Sequence, residues 1–599
     1  MKFLTKILTV LAAVAISSSS VVRSSDGNFE LLILHNNDMH ARFEQTSQHS
    51  GSCTKADREA KKCYGGFARV AHVVKEARAA AKSGAGPPVL YLNAGDTYTG
   101  TAWFTIYKWR IAAEFINALQ PDAVSLGNHE FDEAIEGLIP FIRNVTTPVL
   151  AANLILNKVP ELQNESNLHR SIIIIKNGVK IGIIGYLTPQ TKYLVFKNDV
   201  EYEDEVIALK REVKQLKHKG VNILIALGHS GFEEDLIIAK EVEDIDLVIG
   251  GHSNTFLWND IVTDEITEPI SGPYPTVVRQ ASGRLVRVVQ AYAYTKYLGK
   301  LHLIFDSDGE IIECDGTPLL LDQEVPRDPE LMKIVNKYRV EVERISNEVV
   351  GSSQVFLDGK TCRLQECNLG DLITTAMLNY TQENHLSNVN IAIIAGGRIR
   401  SSISHPQTPF SLTRGEWMTV LPFSDVLTIV TMNGSTLREG LEHSVSEWNP
   451  VDSKGQFLQF SGIEVVYDLE KPPGSRVVKA KAVCSNCGQF KPVDVKDYYE
   501  YEVLMPSFLA QRGDGFTMFD GLPDWPLTYN ELECVLYYVN KYSPINQTRN
   551  GRITLLNEDK ARKRFSYDAR NAPSSSIRVF NTKAKYVVWV AALLLIRNI

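Results

Sequence analysis

Short apolar runs followed by polar or glycine-rich turns recur between residues 29 and about 320, with helical stretches between several of them. Residues 31–34, 89–92, 123–126, 223–226 and 247–249 have the length and continuity of strands buried on both faces. Two β-rich runs between Ser171 and Tyr186 flank Asn177-Gly178, a strong hairpin signal. This half predicts a layered α/β domain with a substantial core. Pro326 and Pro329 then introduce a charged stretch, 330–348, in which Leu331, Ile334, Val335, Tyr338, Val342 and Ile345 fall at helical spacing. From 350 to about 556 a second mixed α/β region follows, with β-rich runs at 389–394 and 426–431. The pattern predicts an α/β protein with a first domain over 25–325, a connecting helix over 326–349 and a second domain over 350–560.

The two ends place this fold in a compartment. Residues 1–24 begin with Lys2 and Lys6, continue through an apolar stretch and pass into small residues, the order of a secretory signal peptide. At the other end a linker (561–576) finishes on Ser574, Ser575 and Ser576, and the segment 577–599 holds a polar spacer and an apolar tail too short to span a bilayer. Small residues, spacer and tail in this order predict a glycosylphosphatidylinositol attachment signal, and so a membrane contact through lipid. Sequons at Asn144, Asn164, Asn379, Asn433 and Asn546 fit an exported chain.

Composition then limits the partners. With 599 residues, 44% of them hydrophobic and 22% charged, the chain has an ordinary globular balance. A formal charge of −7 gives no general attraction to a polyanion and argues against nucleic-acid binding over the whole surface. Loss of both processed ends removes seven cations and no anions, which takes the charge to −14. An anionic small molecule must then be captured by a local field rather than steered from afar.

The strand ends supply candidates for that field. Asp38 and His40 follow the first strand run, Asp96 the second, Asn128 and His129 the third, His229 the fourth and His252 the fifth. In an open α/β sheet the carboxyl ends of the strands border the ligand crevice, so these side chains should converge. Asp, Asn and His without Cys suit divalent metals such as zinc or manganese. Two competing motifs fail: a zinc-protease helix would need His where Glu133 stands, and a phosphate-binding loop would need Gly where Gln354 stands.

The series Asp38-x-His40, Gly95-Asp96, Gly127-Asn128-His129-Glu130, Gly228-His229 and Gly251-His252 resembles the calcineurin-like metallophosphoesterase domain. The whole span 29–556 resembles the 5′-nucleotidase family, which includes ectonucleotidases and arthropod salivary apyrases. The resemblance implies a calcineurin-like layered α/β domain, a connecting helix and a nucleotide-binding α/β domain. It also implies two divalent ions, zinc first and manganese second. Asp38 and His40 would bind one, Asn128, His229 and His252 the other, and Asp96 both, so that the pair polarises phosphoryl oxygens and activates the attacking water. His129, oriented by Asp132, would stabilise transition-state charge without ligating.

Arg42, two residues after His40, lies close to the metal loop in sequence, and Arg363 and Arg400 match the family's phosphate-binding arginines. Phe423 and Phe508 match the aromatic pair that sandwiches the base, and Asp514 the acceptor of the ribose hydroxyls. The chain departs from the family at 395–400: Ala395 stands where an Asn that contacts the base is usual, and Arg398 where a glycine is usual. Pointed into the cleft, Arg398 would favour a longer phosphate chain; pointed to solvent, it would carry no meaning. Cys53 with Cys63, Cys362 with Cys367 and Cys484 with Cys487 match short disulfide loops of the family. Cys314 and Cys534 are left to pair with each other, to pair between chains or to stay free.

These observations lead to an expected extracellular enzyme that hydrolyses nucleoside 5′-phosphates, AMP first. An apyrase acting on ATP and ADP is the alternative, and an inactive nucleotide-binding relative the third reading. The expected partner is a nucleotide, and whether the chain forms a homodimer is left open.

Overall fold

The computed structural model describes residues 27–571 except 264, 406, 451–452 and 485–487. Residues 1–24, expected as a signal segment, the expected anchor tail 577–599, the end of the linker before it and Cys487 lie outside the described residues.

The five strand runs form the strands Phe29–Asn36, Val89–Asn93, Ala123–Ser125, Ile223–His229 and Leu247–Ile249. They do not share one open sheet. The first three run parallel in one sheet, and the last two run parallel in a second sheet beside Val179–Leu187. The physical reason is burial on both faces. Ile33, Leu92, Ile183, Ile225 and Leu247 meet in a common layer between the sheets. The outer face of the first sheet is covered by helices carrying Phe67, Ile111 and Leu138, and that of the second by helices carrying Leu209, Leu216 and Ile238. The result is four layers, helix, sheet, sheet, helix. Asn177-Gly178 joins Ser171–Lys176 to Val179–Leu187 with φ +49° and +79°, the left-handed pair that a tight hairpin requires.

The connecting helix is Pro329–Ser346. Asp328 caps it by accepting the Leu331 amide, and Pro329 sits in its first turn, where a missing N–H is harmless. Leu331, Val335 and Val342 enter the first domain's core together with Met418 of the second domain, so the helix joins both domains through packing.

The second domain centres on a five-stranded sheet in the order Leu458–Ser461, Ile391–Ala395, Glu500–Pro506, Leu427–Asn433, Asp524–Pro526. Alternate residues of Ile391–Ala395 enter two different cores, Ile391 and Ile393 on one side and Ala392 and Ile394 on the other. Period-two alternation in a sheet covered on both faces explains why this run is apolar throughout.

Cys53–Cys63 and Cys362–Cys367 are disulfides, and Cys314 and Cys534 are both free thiols, so no bond between them ties the domains. Asn144, Asn164, Asn433 and Asn546 are exposed and Asn379 is half-buried. Among the described residues no helix is long and apolar enough to cross a membrane.

Candidate active site

The ends of strands from both sheets meet at one edge of the first domain. Asp38, His40, Asp96 and His252 all have left-handed backbones, with φ of 48°, 46°, 55° and 75°. Such conformations are unfavourable for residues with a side chain, by about 1–3 kcal/mol each, and persist only where the surroundings hold them. Glu130 supplies much of that hold: its carboxylate accepts the backbone N–H groups of Asp96 (3.0 Å), Thr97 (2.7 Å), Tyr98 (3.3 Å) and Gly127 (2.7 Å). Two glycines allow the close approach. A Cβ at Gly127 would overlap the Asp96 carboxylate, and one at Gly251 would lie 2.7 Å from His229 Nδ1 and 2.9 Å from Asp38 Oδ2.

The donor set converges on Asp96. His229 Nδ1 hydrogen-bonds the Ala94 carbonyl at 2.7 Å, and His40 Nδ1 lies 3.2 Å from the carbonyls of Tyr98 and Thr99. Carbonyls accept only, so both rings carry a proton on Nδ1 and turn Nε2 inward. His229 Nε2 is buried without an aligned hydrogen-bond partner, 2.9 Å from Asp96 Oδ2 and 3.6 Å from Asp38 Oδ1. His40 Nε2 lies 3.7 Å from Asp96 Oδ2 and 3.9 Å from Asp38 Oδ1. His252 Nδ1 is 2.9 Å from Asn128 Oδ1. Ligands of one zinc ion at about 2.1 Å stand about 3–3.5 Å apart, so these residues fit divalent ions. Two groups of donor atoms, His40 with Asp96 and His129, and Asp96 with His229 and His252, each lie within 4.8 Å of one another, and Asp96 belongs to both.

The electrostatics describe a site that calls for positive charge. Burial pushes the Asp38 carboxyl up to about 6. Burial opposes ionisation of Asp96 as well, but His229 and His129 hold it well below the usual carboxylate range. Burial would keep His229 neutral, yet Asp96 and Asp38 override it and push its pKa up to about 10. A proton on His229 therefore does there what a divalent ion does better. Burial and the Arg400 cation keep His40 neutral, and burial and His229 do the same for His252.

His129 stands beside this cluster. Its Nδ1 is 2.7 Å from Asp132 Oδ2, which also accepts the Thr99 hydroxyl at 2.5 Å, and its Nε2 is 4.0 Å from Asp96 Oδ2. Burial opposes protonation of the ring, and Asp132 and Asp96 outweigh it, so its pKa is raised.

A cavity of about 930 Å³ opens over His40, Asp96, Asn128, His129 and His252 and is closed by the second domain. Arg400 Nη2 reaches His40 Nε2 at 3.0 Å, and the Phe423 ring stacks on His129 at 6.0 Å between centroids. Arg363, Phe508 and Asp514 line the same cavity, and Phe508 meets Phe196 of the first domain edge to face at 6.3 Å. Thus five of the six second-domain and arginine candidates line the cavity that opens over the donor cluster. Arg42 does not: it is 1% exposed beneath the cluster, donates to the carbonyls of His40 (2.8 Å) and Ser50 (3.4 Å), and lies 4.4 Å from the centre of the Tyr294 ring. It braces the His40 loop.

Arg398 points into the cleft, but its charge is already met there by two carboxylates. It is 4% exposed, paired with Asp425 and Glu531, and lies over the two phenylalanines. Asp425 and Glu531 had no signal in the sequence, since they lie 27 and 133 residues from Arg398. Glu130 had one, its place in Gly127-Asn128-His129-Glu130, although its role needed the loop geometry.

Comparison with known proteins agrees with this geometry. Residues 31–256 match the calcineurin-like phosphoesterase family model and residues 349–521 the model of the 5′-nucleotidase C-terminal domain. Protein 5NUC of Lutzomyia longipalpis is 42% identical over 543 residues, 89% of this chain and 94% of that protein. The 5′-nucleotidase of Homo sapiens is 41% identical over 554 residues, 90% of this chain and 94% of that protein. Among solved structures, the 5′-nucleotidase precursor from Thermus thermophilus superposes with a TM-score of 0.79 at 31% identity, covering 88% of this chain and 100% of that one. The buried donor cluster, the closing second domain and both family matches lead to one conclusion: the chain belongs to the 5′-nucleotidase family of metal-dependent phosphoesterases.

Proposed function

We propose that this enzyme removes the phosphate from nucleoside 5′-monophosphates, AMP to adenosine and phosphate first among them. The observation that carries the reading is the shared cavity, in which His40, Asp96, Asn128, His129 and His252 of the site, two arginines, two phenylalanines and Asp514 face one space of about 930 Å³. Asp38 and His40 would hold one divalent ion, Asn128, His229 and His252 another, and Asp96 both; zinc suits the nitrogen-rich set and manganese is the second choice. When bound, such ions polarise phosphoryl oxygens and activate the attacking water.

The chain's own residues do the rest. Arg363 and Arg400 bring planar guanidinium groups to the phosphate, and Arg400 sits closest to the donor cluster. Asp132 fixes the His129 ring through Nδ1, so that Nε2 faces the cavity and donates to charge developing on phosphoryl oxygen. Phe423 and Phe508 hold the base by its faces, Asp514 accepts the ribose hydroxyls, and Arg42 keeps His40 in place. The apyrase reading loses its main support, because the Arg398 charge is met by two carboxylates and adds no field for further phosphates.

Export, glycosylation and a lipid anchor belong to the same proposal. Phosphate release from AMP, ADP and ATP by the purified chain with added divalent metal tests the substrate, and failure to cleave AMP sinks the reading. Release from cells by a phosphatidylinositol-specific phospholipase tests the anchor; a soluble product that keeps its tail refutes it.

A further inference from the structure

Arg398 is the feature of the cleft that the proposed reaction leaves without a task. Its guanidinium carbon lies 4.7 Å from the centroid of the Phe423 ring and 5.7 Å from that of Phe508, so it stands against both rings of the aromatic pair. Two of its three nitrogens are committed. Nε and Nη2 donate to Glu531 Oε1 at 3.1 and 2.5 Å, and Nη2 also donates to Asp425 Oδ1. Asp425 Oδ2 in turn accepts the backbone N–H of Phe508 at 3.2 Å, which ties the arginine to the aromatic pair it touches. Nη1 has no hydrogen-bond partner among the described residues, and the side chain lines the cavity.

Three facts separate this arginine from Arg400. It is placed against the rings rather than beside the donor cluster, where Arg400 contacts His40. Its charge is met by two buried carboxylates, so it offers little net attraction to phosphate. Finally, its orientation is locked, which is what a group that reads direction needs and a group that merely supplies charge does not. Flat rings bind the faces of any base and do not read its edge. An N–H group in the same compartment does read the edge, because it rewards a ring nitrogen or carbonyl oxygen and rejects C–H. Ala395, with no polar side chain, cannot make such a contact.

We propose that Arg398, held by Asp425 and Glu531, is a specificity-determining residue that donates Nη1–H to an acceptor atom on the edge of the nucleobase. This rests on the reading of the enzyme as a nucleoside monophosphatase. The ligand class is a nucleotide whose base carries an unprotonated ring nitrogen or a carbonyl on the edge facing the arginine.

The test compares kcat/KM of the intact, metal-loaded enzyme for AMP, 1-deaza-AMP, 3-deaza-AMP, 7-deaza-AMP and ribose 5-phosphate. One deaza analogue should be turned over about tenfold less efficiently than AMP, the loss that follows when a donor in a closed site faces C–H. In Arg398→Met that difference should vanish, and the ratio of kcat/KM for AMP to that for ribose 5-phosphate should fall about tenfold. Equal turnover of AMP and all three analogues by the wild type overturns the proposal, and this arm needs no variant to fold. A loss in Arg398→Met that is the same for AMP and ribose 5-phosphate also overturns it, as does a gain in kcat/KM for AMP, which would mean that the arginine obstructs the base. Failure of the wild type to release phosphate from AMP overturns the monophosphatase reading itself.

Discussion

His129 and Glu130 are neighbours with separable tasks. His129 faces the cavity with Nε2 and is oriented by Asp132, whereas Glu130 turns away and holds four backbone N–H groups of the metal loops. Replacing His129 by Ala should lower kcat by about a hundredfold to ten-thousandfold while metal content, measured by elemental analysis, stays at the wild-type level. Survival of activity would show that the proton on this ring is not used. Replacing Glu130 by Ala should do the opposite in order of events. It leaves buried donors unsatisfied, each costing about 1–3 kcal/mol, so metal content and resistance to denaturant should fall together. A Glu130→Ala protein with full metal content and normal stability would remove this residue from the scaffold of the site.

At the scale of elements, the strand ends deliver their residues because glycines let the loops touch. Gly127 packs against the Asp96 carboxylate so closely that a methyl group there would displace it. Gly127→Ala should therefore lose metal, read by elemental analysis, with little change in far-UV circular dichroism, because the strands themselves are untouched. The connecting helix offers a second test. Leu331 is 1% exposed in the first domain's core, and Leu331→Ala should destabilise the protein by about 2–5 kcal/mol in chemical denaturation. A negligible effect would mean that the helix is a tether and not a packed element. The helix itself was legible from Pro329 and the spacing of Leu331, Val335 and Val342, which recurs on one face. The partition of the five strands between two sheets was not. A run buried on both faces reads the same whether its neighbour is a helix or another sheet.

For the whole molecule, the site is completed only where the domains meet. Arg400 against His40 and Phe423 against His129 are contacts between residues 360 and 294 positions apart. The carboxylates around the donor cluster are stabilised by whatever cation occupies it, so chelation should lower the unfolding temperature as well as abolish activity, and zinc or manganese should restore both. An ion present at about a thousand times its Kd stabilises the folded state by about 4 kcal/mol. Calorimetry with and without chelator checks this, and an unchanged transition would place the ions outside the folding equilibrium. The acidic overall balance of the chain is consistent with the proposed phosphate contacts, because Arg363 and Arg400 would act over ångströms where net charge acts over a Debye length.

What the sequence determined by itself was the chemistry on offer and its order: apolar runs ending in Asp38, His40, Asp96, Asn128, His229 and His252, and an Asn177-Gly178 turn whose backbone demands are local. Such features depend on residues a few positions apart, and short-range sterics and burial periodicity write them directly into the chain. The tertiary structure decided the rest. It split the strands between two sheets, strained four metal-loop residues into left-handed backbones, buried Arg42 under the loop it was expected to flank, and gave Arg398 two carboxylates and two aromatic rings. Each of those outcomes is set by partners tens to hundreds of residues away, and a side chain's task is defined by which partner packing brings within about 3 or 4 Å of it.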